Sequence, residues 1–177
     1  MAPPSTQGHP SGTFESSPAI PGGNRESDVL RYAEVVARVL VVSDLPHLRS
    51  EIRSMIESPA ITVDELSDGA AVRGWVATEE CDLVITDLQI GSMGGMAVTI
   101  DLRHEESYGA APHVPVLMLL DRRADVFLAR RSGAEGFVVK PLDAVRVRRA
   151  VRALLQGEEY EDDAWQPATV RIAATPA

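Results

Sequence analysis

Cysteine is nearly missing from this sequence: Cys81 is the only one among 177 residues. A lone cysteine excludes an internal disulfide framework and any zinc site built from cysteines. Long apolar runs are missing as well. Nothing approaches the roughly 20 consecutive apolar residues of a transmembrane helix. The opening MAPPSTQGHPSGTFESSPAIPGG has no apolar stretch to serve as a secretory signal. Lysine is the third absence, since 16 of the 17 basic residues are arginine and Lys140 stands alone. At roughly 100–200 residues per domain, the length allows one domain with extensions. The expectation is a soluble, cytoplasmic, single-domain chain with a formal net charge of −9.

Residues 1–26 hold five prolines, four glycines and four serines. Such a stretch buries too little apolar surface to offset the entropy of ordering it, so 1–36 reads as a disordered N-terminal tail. Within it, residues 27–36 (SDVLRYAEVV) suit one short helix, with Ser27 as N-cap and Val29, Ala33 and Val36 on one face. Residues 157–177 read as an acidic block followed by a polar tail, too short for a separate output domain.

The stretch 37–156 has the rhythm of a folded domain. Four runs are almost wholly apolar: Val39–Val42, Leu83–Ile85, Val114–Leu120 and Phe137–Val139. Short strands of that kind suit burial on both faces of a parallel sheet. A fifth run, residues 61–66 (ITVDEL), mixes apolar and acidic positions as an edge strand does. Between these runs lie helical stripes. Leu48, Ile52, Met55 and Ile56 follow Pro46, a good first-turn residue, and Val72, Trp75 and Val76 follow Asp68, a candidate N-cap. Met96, Ile100 and Arg103 mark a third helix, and residues 124–131 a fourth that stops at Gly133. Val147, Val151 and Leu154 mark the fifth. The alternation predicts an α/β fold: a doubly wound, five-stranded parallel sheet of flavodoxin-like order 2-1-3-4-5.

In such sheets ligands bind beyond the carboxyl ends of the strands, where the strand order reverses. The first strand ends in Val42-Ser43-Asp44, the third in Thr86-Asp87 and the fifth in Val139-Lys140-Pro141. Two carboxylates brought together there would repel unless a divalent, oxygen-seeking cation such as Mg²⁺ lay between them. A carboxylate is also a nucleophile toward phosphorus, and a lysine beside it would balance the phosphate's charge. A lone lysine in an arginine-rich chain suggests that position 140 requires a compact ammonium on a flexible stem.

These residues resemble the receiver domain of two-component response regulators over about 120 residues. VLVVSD is similar to the family's first-strand acidic motif, DLVITDLQIGSMGGM to its phosphoacceptor strand and loop, and GAEGFVVKPLD to its last strand with Lys-Pro. The resemblance implies that Asp87 is the phosphoacceptor, that Asp44 and Asp87 ligate Mg²⁺ with the backbone carbonyl of Gln89, and that Lys140 contacts the phosphoryl group. Phe137 matches the aromatic position that reorients on activation.

The sequence departs from that pattern in places. Ser43 replaces the first of two adjacent acids, which should weaken Mg²⁺ binding. Leu120 replaces the serine or threonine whose hydroxyl binds the phosphoryl oxygen and couples it to the output face. Asp121 replaces a small residue, as an anion that either opposes phosphate or substitutes for the missing acid. Gly91 and Gly94 should leave the loop after the third strand more flexible than usual. The site therefore reads as degenerate.

Other chemistries fit worse. A haloacid-dehalogenase-type phosphatase needs an acid where Gln89 stands, and GSMGGM is neither a P-loop nor a GxGxxG turn. No enzymatic activity is expected. His9, His47, His104 and His113 read as solvated, Cys81 as an apolar filler, Trp75 as core and Trp165 as a candidate partner anchor. Residues 37–120 carry five bases and thirteen acids, whereas 121–156 carry nine bases and four acids. The excess lies at Arg122, Arg123, Arg130 and Arg131 and at Arg146, Arg148, Arg149 and Arg152. In receivers the fourth helix, fifth strand and fifth helix form the usual dimerisation and output face. The expected partners are therefore proteins, a sensor kinase or a larger complex, together with a homodimer through that face. DNA binding and membrane insertion are not expected. The acidic residues 158–163 are placed to fold back onto the arginines. The leading function is a stand-alone receiver-like protein in phosphorelay signalling, and the alternative is a phosphorylation-independent adaptor.

Overall fold

The computed structural model describes residues 36–163. The tail, the helix expected at 27–36 (all but its last residue) and Trp165 lie outside the described residues. The chain runs β1 (Ala37–Val42), α1 (Pro46–Ile56), β2 (Ile61–Leu66), α2 (Val72–Val76), β3 (Leu83–Asp87), α3 (Gly95–Ser107), β4 (Val116–Leu120), α4 (Val126–Ser132), β5 (Gly136–Val139), α5 (Ala144–Leu155) and β6 (Tyr160–Glu161). All pairings within the sheet are parallel, and the strand order is 2-1-3-4-5-6. The predicted order 2-1-3-4-5 is present, with a sixth strand added at its edge.

Side-chain alternation divides the core between the two faces of the sheet, as a period of two requires. Val39, Val41, Ile85, Leu117, Leu119 and Val138 pack with α1 and α5, whose inward residues are Leu48, Ile52, Val147, Val151 and Leu154. Leu40, Val42, Val84 and Val116 pack with Val72, Val76, Val98 and Leu102 on the other face. Met118, Leu120, Phe137 and Val139 extend that second layer under Val126 and Ala129 of α4.

Helix ends follow local chemistry. Pro46 opens α1. The Asp143 carboxylate caps α5 by accepting from the Val145 and Arg146 N–H groups at 3.0 and 3.1 Å. Asp68 caps a 3₁₀ turn, Gly69–Ala71, that leads into α2. The fourth helix likewise opens as a 3₁₀ turn, Arg123–Asp125, where Arg122 grips the buried Asp125 carboxylate through two hydrogen bonds. Gly133, at φ +81°, ends α4 in the left-handed region. Strand β4 starts at Val116 rather than Val114: Pro115 has no N–H to donate, and the Val116 N–H is taken by the Glu135 carboxylate at 2.7 Å.

Trp75 is only half-buried and lies under the Arg38 guanidinium, 5.1 Å from its ring centre. His113 is not merely solvated, because its Nδ1 sits 2.9 Å from Glu106. That bond holds the Glu106 carboxyl below its ordinary range, and burial works against the shift. Cys81 fits the filler reading, with burial pushing its thiol up to about 11.

The glycine-rich loop is closely packed where flexibility was expected. A Cβ on Gly94 would lie 2.6 Å from the Leu88 carbonyl oxygen, and one on Gly95 2.6 Å from that of Asp87. Backbone atoms yield little, so glycine here serves close approach between α3 and β3. Gly95→Ala should lower unfolding free energy by about 1–3 kcal/mol in urea titration. Gly74→Ala, in α2 with nothing within 4 Å of the new methyl, should instead raise it by about 0.5–1 kcal/mol.

Candidate functional site

Three strands deliver charged groups to the carboxyl edge of the sheet. Asp87 ends the central strand β3, and its side chain is 2% exposed. Lys140 follows β5 and donates from Nζ to Asp87 Oδ1 at 2.9 Å and to Asp121 Oδ1 at 3.0 Å. Asp121 follows β4 directly. Burial disfavours the Lys140 charge, but the hydrogen bonds to Asp87 and Asp121 outweigh it and hold the ammonium above its ordinary pKa.

Strand β1 supplies the other side. Ser43 is fully buried, its Oγ lies 3.4 Å from Asp87 Oδ2, and it accepts from the Leu45 N–H at 3.2 Å. Asp44 is exposed and its Oδ2 accepts from the Gly91 N–H at 2.9 Å, which fastens the β3–α3 loop across the strand ends. Gln89 is exposed two residues beyond Asp87. Leu120 is fully buried and shares one cluster with Phe137, which is 3% exposed. The residue at 120 therefore offers carbon, not a hydroxyl, beneath the site.

The donor set bears on Mg²⁺. Among the described residues no group of three or more His, Cys, Asp or Glu side chains is arranged to hold a metal ion. Asp44, Asp87 and the Gln89 carbonyl are hard oxygen donors, and Mg²⁺ is commonly held through one or two carboxylates while keeping several waters. The residues present fit a Mg²⁺ site with few protein ligands, thinned by the neutral Ser43.

The arginines of the expected partner face divide into two sets. Arg130 clasps Glu161 through two hydrogen bonds of 2.8 and 2.7 Å, and Arg146 pairs with Asp162. Arg122 is spent on Asp125. Arg123, Arg131 and Arg149 are exposed and form no ion pair among the described residues. Of the acidic residues 158–163, Glu161 and Asp162 lie on the arginines, and the sequence did not show that they do so beside a short strand. Asp121 was visible in the sequence, and its side chain's direction was not.

The sequence matches the response regulator receiver domain family over residues 39–160. It is 31% identical to the response regulator protein PmrA of Pseudomonas aeruginosa over 117 residues, 66% of this chain and 52% of that protein. It is 25% identical to the protein PilH of Pseudomonas aeruginosa over 122 residues, 69% of this chain and 100% of PilH. The fold is similar to the signal receiver domain of the response regulator NarL from Mycobacterium tuberculosis, at TM-score 0.61 and 28% identity, covering 69% of this chain and 98% of that one. The chain spans about half the length of PmrA, the first of these relatives.

A single lysine makes the site directly readable, because selective labelling gives one side-chain signal. The Lys140 Cε resonance should titrate above the value of a free lysine, and Asp121→Asn should lower its midpoint, since it removes one of two stabilising anions. A folded-state pKa raised in this way contributes stability that is complete below about pH 10.4 and is lost as pH climbs through the raised value.

Proposed function

The chain belongs to the response regulator receiver domain family, and on that premise we propose that it acts in phosphorelay signal transduction through protein–protein contact, with Asp87 as phosphoacceptor of a weakened site. The observation that carries this reading is the Asp87 carboxylate at the end of the central strand, 2.9 Å from the chain's only lysine. Receiver domains interact with kinases and other proteins and typically bind Mg²⁺ at their acidic phosphorylation site.

Each residue then has a task. An Asp87 oxygen attacks phosphorus in the donor, the bond to the donor's leaving group breaks, and an aspartyl phosphate remains. Lys140 carries three N–H donors and spends two of them on Asp87 and Asp121, so the third is open to a phosphoryl oxygen. Asp44, Asp87 and the Gln89 carbonyl would hold Mg²⁺, which when bound neutralises charge on the phosphoryl oxygens. Asp44 also positions Gly91 and hence the loop that rims the site.

A second reading, a phosphorylation-independent adaptor, is favoured by Leu120 and Asp121. A hydrogen bond to a charged group contributes about 1.5–3 kcal/mol, and Leu120 cannot make it. Driving a two-state switch from 1:99 to 99:1 takes about 5.5 kcal/mol. The missing hydroxyl therefore removes a quarter to a half of the drive, and the Asp121 carboxylate repels an incoming anion.

Titration with beryllofluoride and Mg²⁺, followed by amide NMR, distinguishes the two. Saturable shifts at Asp44, Asp87 and Lys140 that reach Phe137, and vanish in Asp87→Ala, are the expected result for the phosphoacceptor reading. An absence of binding at millimolar Mg²⁺ would sink it and leave the adaptor. Leu120→Thr should tighten beryllofluoride binding by about tenfold or more if its hydroxyl regains the charge-assisted bond.

A further inference from the structure

The arch that links β3 to α3 is fastened to two neighbouring loops. Its feet are apolar: Ile90 is buried, and Met93 packs against the same cluster as Val72 and Val98. Between them Gly91 and Ser92 are exposed, and each is held by one carboxylate. The Gly91 N–H donates at 2.9 Å to Asp44 Oδ2, which comes from the loop after β1. The Ser92 hydroxyl donates to Asp68 Oδ1, which comes from the loop after β2. The same Asp68 oxygen accepts from the Ala70 N–H at 2.9 Å, so its own turn fixes the carboxylate before it meets Ser92. The Ser92 bond, and after it the Ala70 bond, holds the Asp68 carboxyl below its ordinary range, with burial working against both. Contact beside the bond is tight, since a Cβ on Gly69 would lie 2.0 Å from the Met93 carbonyl oxygen.

These bonds make a chain of links from Asp68 through Ser92 and Gly91 to Asp44. With Ser43 neutral, Asp44 is the only carboxylate that the end of β1 offers a cation. An exposed carboxylate samples several rotamers, and that freedom is lost on binding. A hydrogen bond orders both of its partners: the Gly91 N–H takes Oδ2 of Asp44 and leaves Oδ1 to a cation. Glycine has the widest backbone freedom of any residue, so Gly91 does not hold its N–H in place unaided. The hold comes from Ser92, the next residue, and from Asp68 beyond it.

We infer that Asp68 and Ser92 are positioning residues for the cation site: they fix the Gly91 N–H, and through it the Asp44 carboxylate, so that Mg²⁺ affinity depends on a hydrogen bond made outside the site. The inference rests on the Mg²⁺ site of the proposed function and adds a control point on the loop after β2, which supplies none of the proposed ligands. Removing a direct partner of a metal ligand typically costs about 10–100-fold in affinity. Ser92 acts one link further out, so its effect is smaller.

The test is a Mg²⁺ titration of the full chain by amide NMR, with the solvent exchange rate of the Gly91 amide measured before Mg²⁺ is added. Ser92→Ala leaves the Asp68 cap in place and removes only the link. It should speed Gly91 exchange and weaken Mg²⁺ binding by about three- to tenfold. Ser92→Thr, which keeps the hydroxyl, should restore both. Asp68→Ser keeps a capping oxygen on a side chain one bond shorter, and should match Ser92→Ala. The double variant should bind no more weakly than either single one, because both remove the same link. An affinity that Ser92→Ala leaves unchanged would overturn the inference while the Mg²⁺ site stands. So would additive losses in the double variant, or a loss that Ser92→Thr does not restore. An unmodified chain that binds no Mg²⁺ would end both the inference and the site on which it rests.

Discussion

One ammonium group holds the functional end of this domain together. Lys140 bridges carboxylates that follow from β3 and β4, and it does so from the end of β5. Asp87 is almost wholly buried. Removing its cation would leave an uncompensated interior charge, a defect that costs about 3–5 kcal/mol in proteins generally. Any anion arriving at the site meets a cation already shared between two acids. It gains the third N–H of Lys140 and faces the negative charge of Asp121 at the same time. Under the proposed function, the balance between those two terms, rather than the presence of Asp87 alone, would set how readily the site accepts a phosphoryl group.

Below that charged layer the site rests on carbon. Leu120 and Phe137 sit in one buried cluster with Met118, Val126, Ala129 and Val139. Close-packed apolar contacts lose energy when a side chain leaves them, so Leu120 favours Phe137 in its inward position. A hydroxyl at 120 would do the opposite, since it would be drawn toward a phosphoryl oxygen. If the proposed switch operates, leucine at 120 weakens its drive and strengthens its resting state.

The five-stranded core was legible because its strands are apolar on both faces and its helices carry clean stripes. Val39–Val42 and Leu83–Ile85 could sit only in a sheet covered on both sides. The strand-end acids and Lys140 were legible for the same reason, since the fold fixes where strand ends meet. Tertiary pairing decided the rest. Nothing in Tyr160-Glu161-Asp162 has strand periodicity; two arginines from separate helices and a glycine in β5 make it one. Gly94 reads as freedom in sequence and serves tight approach in space, as Gly95 beside it does, a difference that only neighbouring backbone reveals. His113 gained a partner because the α3–β4 turn brings Glu106 back to it, seven residues away.

The charged site and the edge strand β6 share β5, a strand of four residues. Its Lys140 N–H donates inward to the Leu120 carbonyl at 2.8 Å, while the preceding N–H, on Val139, donates outward to Asp162. The Val139 carbonyl accepts in turn from Arg146, the same guanidinium that holds Asp162. Alternation along the strand thus gives one edge of β5 to β4 and the other to β6 and Asp162. Two ligands that bias one element are thermodynamically linked, and the coupling is reciprocal. If an anion on Lys140 shifts β5, it changes the hold on β6 by some factor, and release of β6 must change anion affinity by that same factor.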